Sequence, residues 1–256
     1  MGDPQVRDPI VLVHGILGFD ELHVGGVKLG DYFRQVRETL QAAGNTVPDP
    51  PRLDPAGSIE TRAGDLKRYL DDRPELGKVH LLAHSMGGLD SRFLVSRLGM
   101  ADRVLTLITL GTPHRGTPFA DQGVACLQPA IDELARHRID LQGFLDLTTT
   151  ACAKFNEEVP DAPGVRYYSV AGQIEPRPTD LLQVPHALIK ATAGPNDGLV
   201  PVDSATYGMC LGTWAADHFR LINWATNVLV PIPELEDMTI LDGYLDLVRR
   251  LAADGF

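Results

Sequence analysis

Two periods alternate along the chain. Ile10-Val11-Leu12-Val13 is an unbroken apolar run ending at His14-Gly15, the pattern of a strand buried on both faces. Residues 79–83 and 104–110 repeat it, and 165–170 repeat it less cleanly. Between these runs apolar positions recur at helical spacing. Residues 29–43 carry Phe33, Val36 and Leu40 and stop at Gly44. Residues 58–70 carry Ile59, Ala63, Leu66 and Leu70 behind Ser58, a suitable N-cap. Residues 86–98 end at Gly99, and 240–251 place Leu241, Tyr244, Leu245, Val248 and Leu251 on one face. Strands alternating with helices predict an α/β fold, a mostly parallel central sheet with helices on both faces. Such sheets bind ligands beyond the C-terminal ends of their strands. Three of those ends carry polar chemistry here: His14-Gly15, His84-Ser85 and Gly111-Thr112-Pro113-His114.

Residues 115–164 break this rhythm. Helices are expected at 126–138, where Leu127, Ile131, Leu134 and Ala135 oppose Asp132, Glu133, Arg136 and Arg138, and again at 144–157. Because the insertion follows a strand end beside the polar groups, it reads as a small helical cap or lid within one domain spanning 1–256. A helix packed on the core is the alternative. The Pro-rich stretch 47–55 is a loop, since its prolines forbid a central strand.

Composition narrows the partners. The 256 residues are 44% apolar and 22% charged, enough apolar material for a folded core. The net charge of −11 disfavours nucleic acid and anionic lipid as electrostatic partners. No run of 18 apolar residues is present, so no transmembrane segment is expected. The start, Met1-Gly2-Asp3-Pro4, has neither a basic nor an apolar leader region. The expected location is extracellular, for a mature chain without its signal, with the cytoplasm as the alternative. The three cysteines, Cys126, Cys152 and Cys210, have no metal spacing and read as buried thiols, with a Cys126–Cys152 pair as the other possibility.

Ala83-His84-Ser85-Met86-Gly87-Gly88 lies between a predicted strand and a predicted helix. It is a nucleophile elbow of the G-x-S-x-G kind with alanine first. A sharp turn holds the serine backbone strained so that its Oγ stands clear of the sheet, and only small residues fit two positions to either side. The following helix aims its N-terminal amides at the serine, which favours developing negative charge.

A serine hydroxyl needs a base. In this architecture the order is serine, acid, histidine, and His218 is the only one of the eight histidines beyond residue 186. Asp197, in the turn Pro195-Asn196-Asp197-Gly198, is the preferred acid, with Asp180 and Asp203 in reserve. Asp217 adjoins His218 and is expected to point elsewhere. The oxyanion of the tetrahedral intermediate needs two N–H donors. Met86 supplies the one after the nucleophile, and Ile16, in the loop after the first strand, supplies the second. The side chains of Ile16 and Met86 are then expected to line the acyl site, with His14, Leu17 and Phe19 also contacting substrate.

These segments together resemble a known family. Val11 to Asp20 with its His14-Gly15-Ile16-Leu17, the Ser85 elbow, Gly111-Thr112-Pro113-His114-Arg115-Gly116-Thr117 and Asn196-Asp197-Gly198-Leu199-Val200 are similar to the bacterial true lipases of the Pseudomonas and Burkholderia type, within the α/β-hydrolase superfamily. The resemblance covers roughly 10–120 and 165–220. It implies a serine carboxylester hydrolase acting on acylglycerols, with Ser85, Asp197 and His218 as triad and Ile16 and Met86 as oxyanion hole.

Two departures follow. That family holds a structural calcium through a carboxylate two residues after the catalytic histidine. Arg220 stands there in this chain, so no metal is expected at that position, although a carboxylate elsewhere, such as Asp180, is open. Its disulfide is not matched by the three cysteines. The expected partner is an apolar ester, at a lipid–water interface in the lipase case. A short-chain esterase and a polyester hydrolase with an open cleft are the alternatives, and a non-catalytic binding module of the same fold is the reading from another class.

Overall fold

The structure is a computed structural model that describes residues 4–16, 21–24, 27–124, 142–176, 180–224 and 240–256. Among the described residues, five parallel strands form its central sheet in the order β1-β4-β5-β6-β7: Ile10–Val13, Val79–His84, Val104–Leu110, Arg166–Gly172 and Met209–Trp214. A separate antiparallel pair, β2 (Glu21–Val24) and β3 (Val27–Asp31), follows β1.

The unbroken apolar runs have a direct cause. Along β1, Ile10 and Leu12 face one cluster while Val11 and Val13 face the other. On the first face they meet Val36 and Leu40 of helix α1 (Val36–Ala42) and Tyr244, Leu247, Val248 and Leu251 of the helix Ile240–Ala253. On the second they meet Ala63, Leu66 and Leu70 of α2 (Ile59–Asp71) and Leu94 and Val95 of α3 (Gly87–Arg97). Each such aliphatic side chain taken out of water stabilises the fold by about 1.5–3 kcal/mol. Ser58 caps α2 as expected, its Oγ accepting from Thr61 N–H at 3.2 Å.

Two expectations need correction, and two elements had not been expected. The helix expected over 29–43 begins only at Val36, because 27–31 is strand β3. The edge strand β7 had no apolar run to announce it: Met209 and Cys210 are exposed. Cys210 is therefore not a buried thiol, whereas Cys152 is, and Cys126 lies outside the described residues. The helix Gln183–Ala193 was also missed; its Pro185 sits in the first turn, where the lost N–H has no intrahelical partner.

The expected cap divides. In the helix Thr149–Glu158, Cys152 and Phe155 pack with Met86 and Leu89 of the elbow region, so this helix is core. Residues 125–141, where the other cap helix was expected, lie outside the described residues.

Candidate active site

β4 and α3 meet at Ser85, whose φ is +55°. That is the strained conformation an elbow requires, and it is held on every side. Ser85 N–H donates to Leu110 O at 2.9 Å, and Ser85 O accepts from Gly88 N–H at 3.1 Å and Thr112 Oγ1–H at 2.7 Å. The small residues of the elbow are needed for space. A Cβ on Gly87 would lie 2.7 Å from the backbone oxygens of Val13 and His14. A Cβ on Gly88 would lie 2.3 Å from Thr112 Oγ1.

The structure brings Ser85, His218 and Asp197 into one line. Asp197 is wholly buried, and its Oδ1 accepts from the N–H groups of Leu199 at 2.9 Å and Val200 at 2.7 Å. Its Oδ2 accepts from His218 Nδ1–H at 2.8 Å. With Nδ1 protonated, His218 Nε2 presents a lone pair, and Ser85 Oγ lies 3.0 Å from it. A base held in that tautomer can take the serine proton, and a carboxylate at Nδ1 stabilises the imidazolium so formed. Asp217 points elsewhere, its Oδ1 accepting from the amides of Phe219 and Arg220 at 2.9 and 2.8 Å. Asp203 is exposed on the helix Val202–Ala205, and Asp180 precedes Gln183–Ala193; neither is hydrogen-bonded to His218, whose Nδ1 is held by Asp197.

Two glycines that sequence reasoning had not assigned make room for this line. A Cβ on Gly111, where φ is +55°, would lie 3.0 Å from Asp197 Oδ2 and 3.3 Å from His218 Nδ1. One on Gly172 would lie 2.8 Å from Asp197 Cβ. Both follow or end strands that flank the site, so their positions at strand ends were the available signal.

His14 is not a substrate contact. It is buried, and its Nε2 accepts from Leu53 N–H at 3.1 Å. Its Nδ1 therefore carries the proton and donates to Gly15 O at 2.9 Å. The His14 carbonyl accepts from Arg62 at 2.8 Å, and Arg62 Nε–H donates to Asp90 Oδ2 at 2.8 Å, both side chains fully enclosed. Burial pushes the Asp90 carboxyl up to about 7, against the pull of Arg62. Met86 is also enclosed, in a cluster with Leu147, Cys152 and Phe155 against which Ile16 packs, so its side chain belongs to the core rather than to an open acyl site. Leu17 and Phe19 lie outside the described residues.

A second histidine adjoins the line. His84 Nε2–H donates to the His218 carbonyl at 2.9 Å, and its ring centroid is 4.5 Å from that of His218. Burial first, and then the charge His218 can carry, hold His84 well below the usual histidine range. A cavity of about 620 Å3 is lined by His14, Tyr32 and Arg37 and does not include Ser85, His84 or His218.

The PGAP1-like alpha/beta domain family matches residues 65–174. The chain is 30% identical to a triacylglycerol lipase of Vibrio cholerae over 262 residues, covering 86% of this chain and 79% of that protein. It is 28% identical to triacylglycerol lipase 2 of Saccharomyces cerevisiae, covering 98% of this chain and 93% of that one. The crystal structure of the mature Bacillus licheniformis lipase BlEst2 superimposes with a TM-score of 0.66 at 25% identity, covering 86% and 91% of the two chains.

Proposed function

The chain belongs to the triacylglycerol lipase family and is a serine ester hydrolase of the α/β-hydrolase fold, and we propose that Ser85, His218 and Asp197 are its catalytic triad, acting on acylglycerols or related apolar esters. The observation that carries this reading is the continuous hydrogen-bonded line Ser85 Oγ–His218–Asp197 at a strained elbow. Ser85 Oγ attacks the ester carbonyl while His218 Nε2 takes its proton. His218 then returns that proton to the departing alkoxide, leaving an acyl group on Ser85. Water, deprotonated by the same nitrogen, hydrolyses the acyl-enzyme and restores the serine.

The oxyanion formed in each half is held by two backbone amides, those of Met86 and Ile16. Met86 N–H opens α3 directly after Ser85, at the helix end where amides point outward. Ile16 N–H belongs to the trans peptide whose carbonyl, that of Gly15, is held by His14 Nδ1–H. In a trans peptide the N–H points opposite to the C=O, so His14 acts by orientation. Gly15 itself lies against Ser85, where a Cβ would come within 2.7 Å of Ser85 Cβ.

The finer kinship, to lipases of the Pseudomonas and Burkholderia type, is supported by the His14-Gly15, Ser85 and Asp197 segments taken together. No metal has a part in the reading, since Arg220 occupies the family's ligand position. Working outside the cell, at a lipid–water interface, suits a net charge of −11 and an apolar substrate.

The test is a chain-length series of p-nitrophenyl esters followed by emulsified triolein and a polyester film, with Ser85→Ala as control and EDTA in one arm. Hydrolysis of long acyl chains and triolein, abolished by Ser85→Ala and indifferent to EDTA, is expected. A preference for short chains with cleavage of the film, or loss of activity in EDTA, contradicts the substrate or the metal-free reading respectively.

A further inference from the structure

Between the oxyanion loop and the catalytic histidine lies a short chain of buried polar groups that the triad does not account for. Tyr32 OH accepts from Gly15 N–H at 3.0 Å. The same hydroxyl lies 2.7 Å from His84 Nδ1. His84 Nε2 in turn lies 2.9 Å from the His218 carbonyl oxygen.

The direction of every hydrogen bond in this chain follows from the chemistry of its ends. A carbonyl oxygen can only accept, so His84 Nε2 carries the proton. Neutral imidazole then has a lone pair on Nδ1, so Tyr32 O–H donates to it. The Tyr32 oxygen keeps a lone pair for Gly15 N–H. One proton arrangement therefore satisfies all four groups, from the backbone of residue 15 to the backbone of residue 218. Burial disfavours the two states that would break the order, tyrosinate and imidazolium: it raises the Tyr32 hydroxyl and lowers His84 well below its usual range.

Position supports the same reading. His84 immediately precedes the nucleophile and is 1% exposed. Tyr32 follows strand β3, and its ring packs against both His14 and His84, with centroids 5.6 and 5.7 Å apart. Gly15 is held at both of its polar groups, its N–H by Tyr32 and its C=O by His14. The loop that presents Ile16 N–H and the segment that presents His218 Nε2 are thus tied to one another by side chains whose hydrogen bonds go to Gly15 and His218 and not to Ser85 Oγ.

We propose that Tyr32 and His84 form a positioning relay for ester hydrolysis, setting the separation between the oxyanion loop and His218. The relay rests on the assignment of Ser85 and His218 as nucleophile and base. Its members act through other groups: Tyr32 through the Gly15 peptide and His84 through the His218 backbone. Loosening it displaces the oxyanion donor and the base relative to one another without altering ground-state contacts with the acyl chain. Displacements of this kind, about 1 Å, lower turnover by up to about 100-fold.

The experiment is a double-mutant cycle of Tyr32→Phe and His84→Leu, with His84→Gln as the conservative variant and Ser85→Ala as the reference for the triad. Kinetics are measured on one soluble ester, and folding is checked by near-ultraviolet circular dichroism. Each single variant is expected to lower kcat by about 10- to 100-fold with KM within about twofold, the signature of a loss confined to the transition state. The double variant is expected to fall no further than the worse single one, because removing either member opens the same chain. His84→Gln, whose side-chain amide can still donate to the His218 carbonyl, is expected to recover part of kcat.

Multiplicative losses, a rise in KM that accounts for the effect, or wild-type kcat in Tyr32→Phe would each overturn the relay. If the leucine variant does not fold, Tyr32→Phe against His84→Gln completes the cycle. Ser85→Ala separates the two claims: a dead Ser85→Ala beside a fully active Tyr32→Phe sinks the relay alone, while an active Ser85→Ala sinks the assignment beneath it.

Discussion

At the residue scale, the Ser85–His218–Asp197 line depends as much on where side chains are missing as on the three that form it. Gly87 faces the backbone oxygens of Val13 and His14, at the end of β1, that cannot withdraw, whereas Gly111 faces the Asp197–His218 pair and already has a φ of +55°. The same substitution should therefore have different consequences. Gly87→Ala is expected to destabilise the fold by about 1–3 kcal/mol, as overpacking does. Gly111→Ala is expected to lower kcat by about 10- to 100-fold on a comparable stability loss, since its methyl displaces reacting groups. Gly64, inside α2 with open space around its Cα, serves as the control. Gly64→Ala should raise stability by up to about 1 kcal/mol. Urea unfolding alongside kcat distinguishes the three; equal effects at 87 and 64 would remove the steric account of the elbow.

Element by element, legibility followed burial on two faces. Strands β1, β4 and β5 read plainly because both clusters demand apolar side chains, and α2 and the helix Ile240–Ala253 because each buries one stripe. β7 did not, because an edge strand with Met209 and Cys210 exposed needs no apolar run. The β2–β3 pair was hidden by its overlap with a helical spacing through Phe33, Val36 and Leu40, although Gly25-Gly26 between two short stretches was a hairpin signal. That Ser85, Asp197 and His218 come together in one hydrogen-bonded line was legible from motif and order. Tyr32 was not, since nothing in its local sequence indicates that β3 delivers its hydroxyl to Gly15 and His84.

The strands also carry a pH response. His80 and His84 on β4, and His114 beyond β5, are buried and held neutral, His80 at about 4 and the other two well below the usual range, chiefly by burial. In the unfolded chain all three take up protons below about pH 6.5. The unfolded state then binds more protons than the native one, so stability falls as pH falls from about 6.5 toward 4, by up to about 1.4 kcal/mol per pH unit for each group. Asp90 acts in the opposite sense: raised to about 7, it binds its proton more readily in the native state over much of that window. Three groups outweigh one. Urea midpoints measured between pH 7 and 4.5 should fall, and His80→Gln should flatten the fall; a midpoint that rises on acidification would refute the assignment of neutral buried histidines.

For the whole molecule, one parallel sheet gathers the chemistry from distant parts of the chain. The ends of β1, β4, β5 and β6 lie side by side in register, Val13 beside Ala83, His84 beside Leu110 and Leu110 beside Val170. Residues 14, 85, 111 and 172 consequently meet at one edge, and the loops bearing Asp197 and His218 close over it, joined to each other by His218 N–H donating to Asp197 O at 2.9 Å. The central claim is that this edge generates a single activated serine. A fluorophosphonate ester, which traps such a serine as a stable adduct, tests it most directly when the labelled protein is digested and the adduct mapped by mass spectrometry. The account predicts stoichiometric labelling at Ser85 that is lost in His218→Ala; an adduct on any other residue, or labelling undiminished without His218, would contradict it.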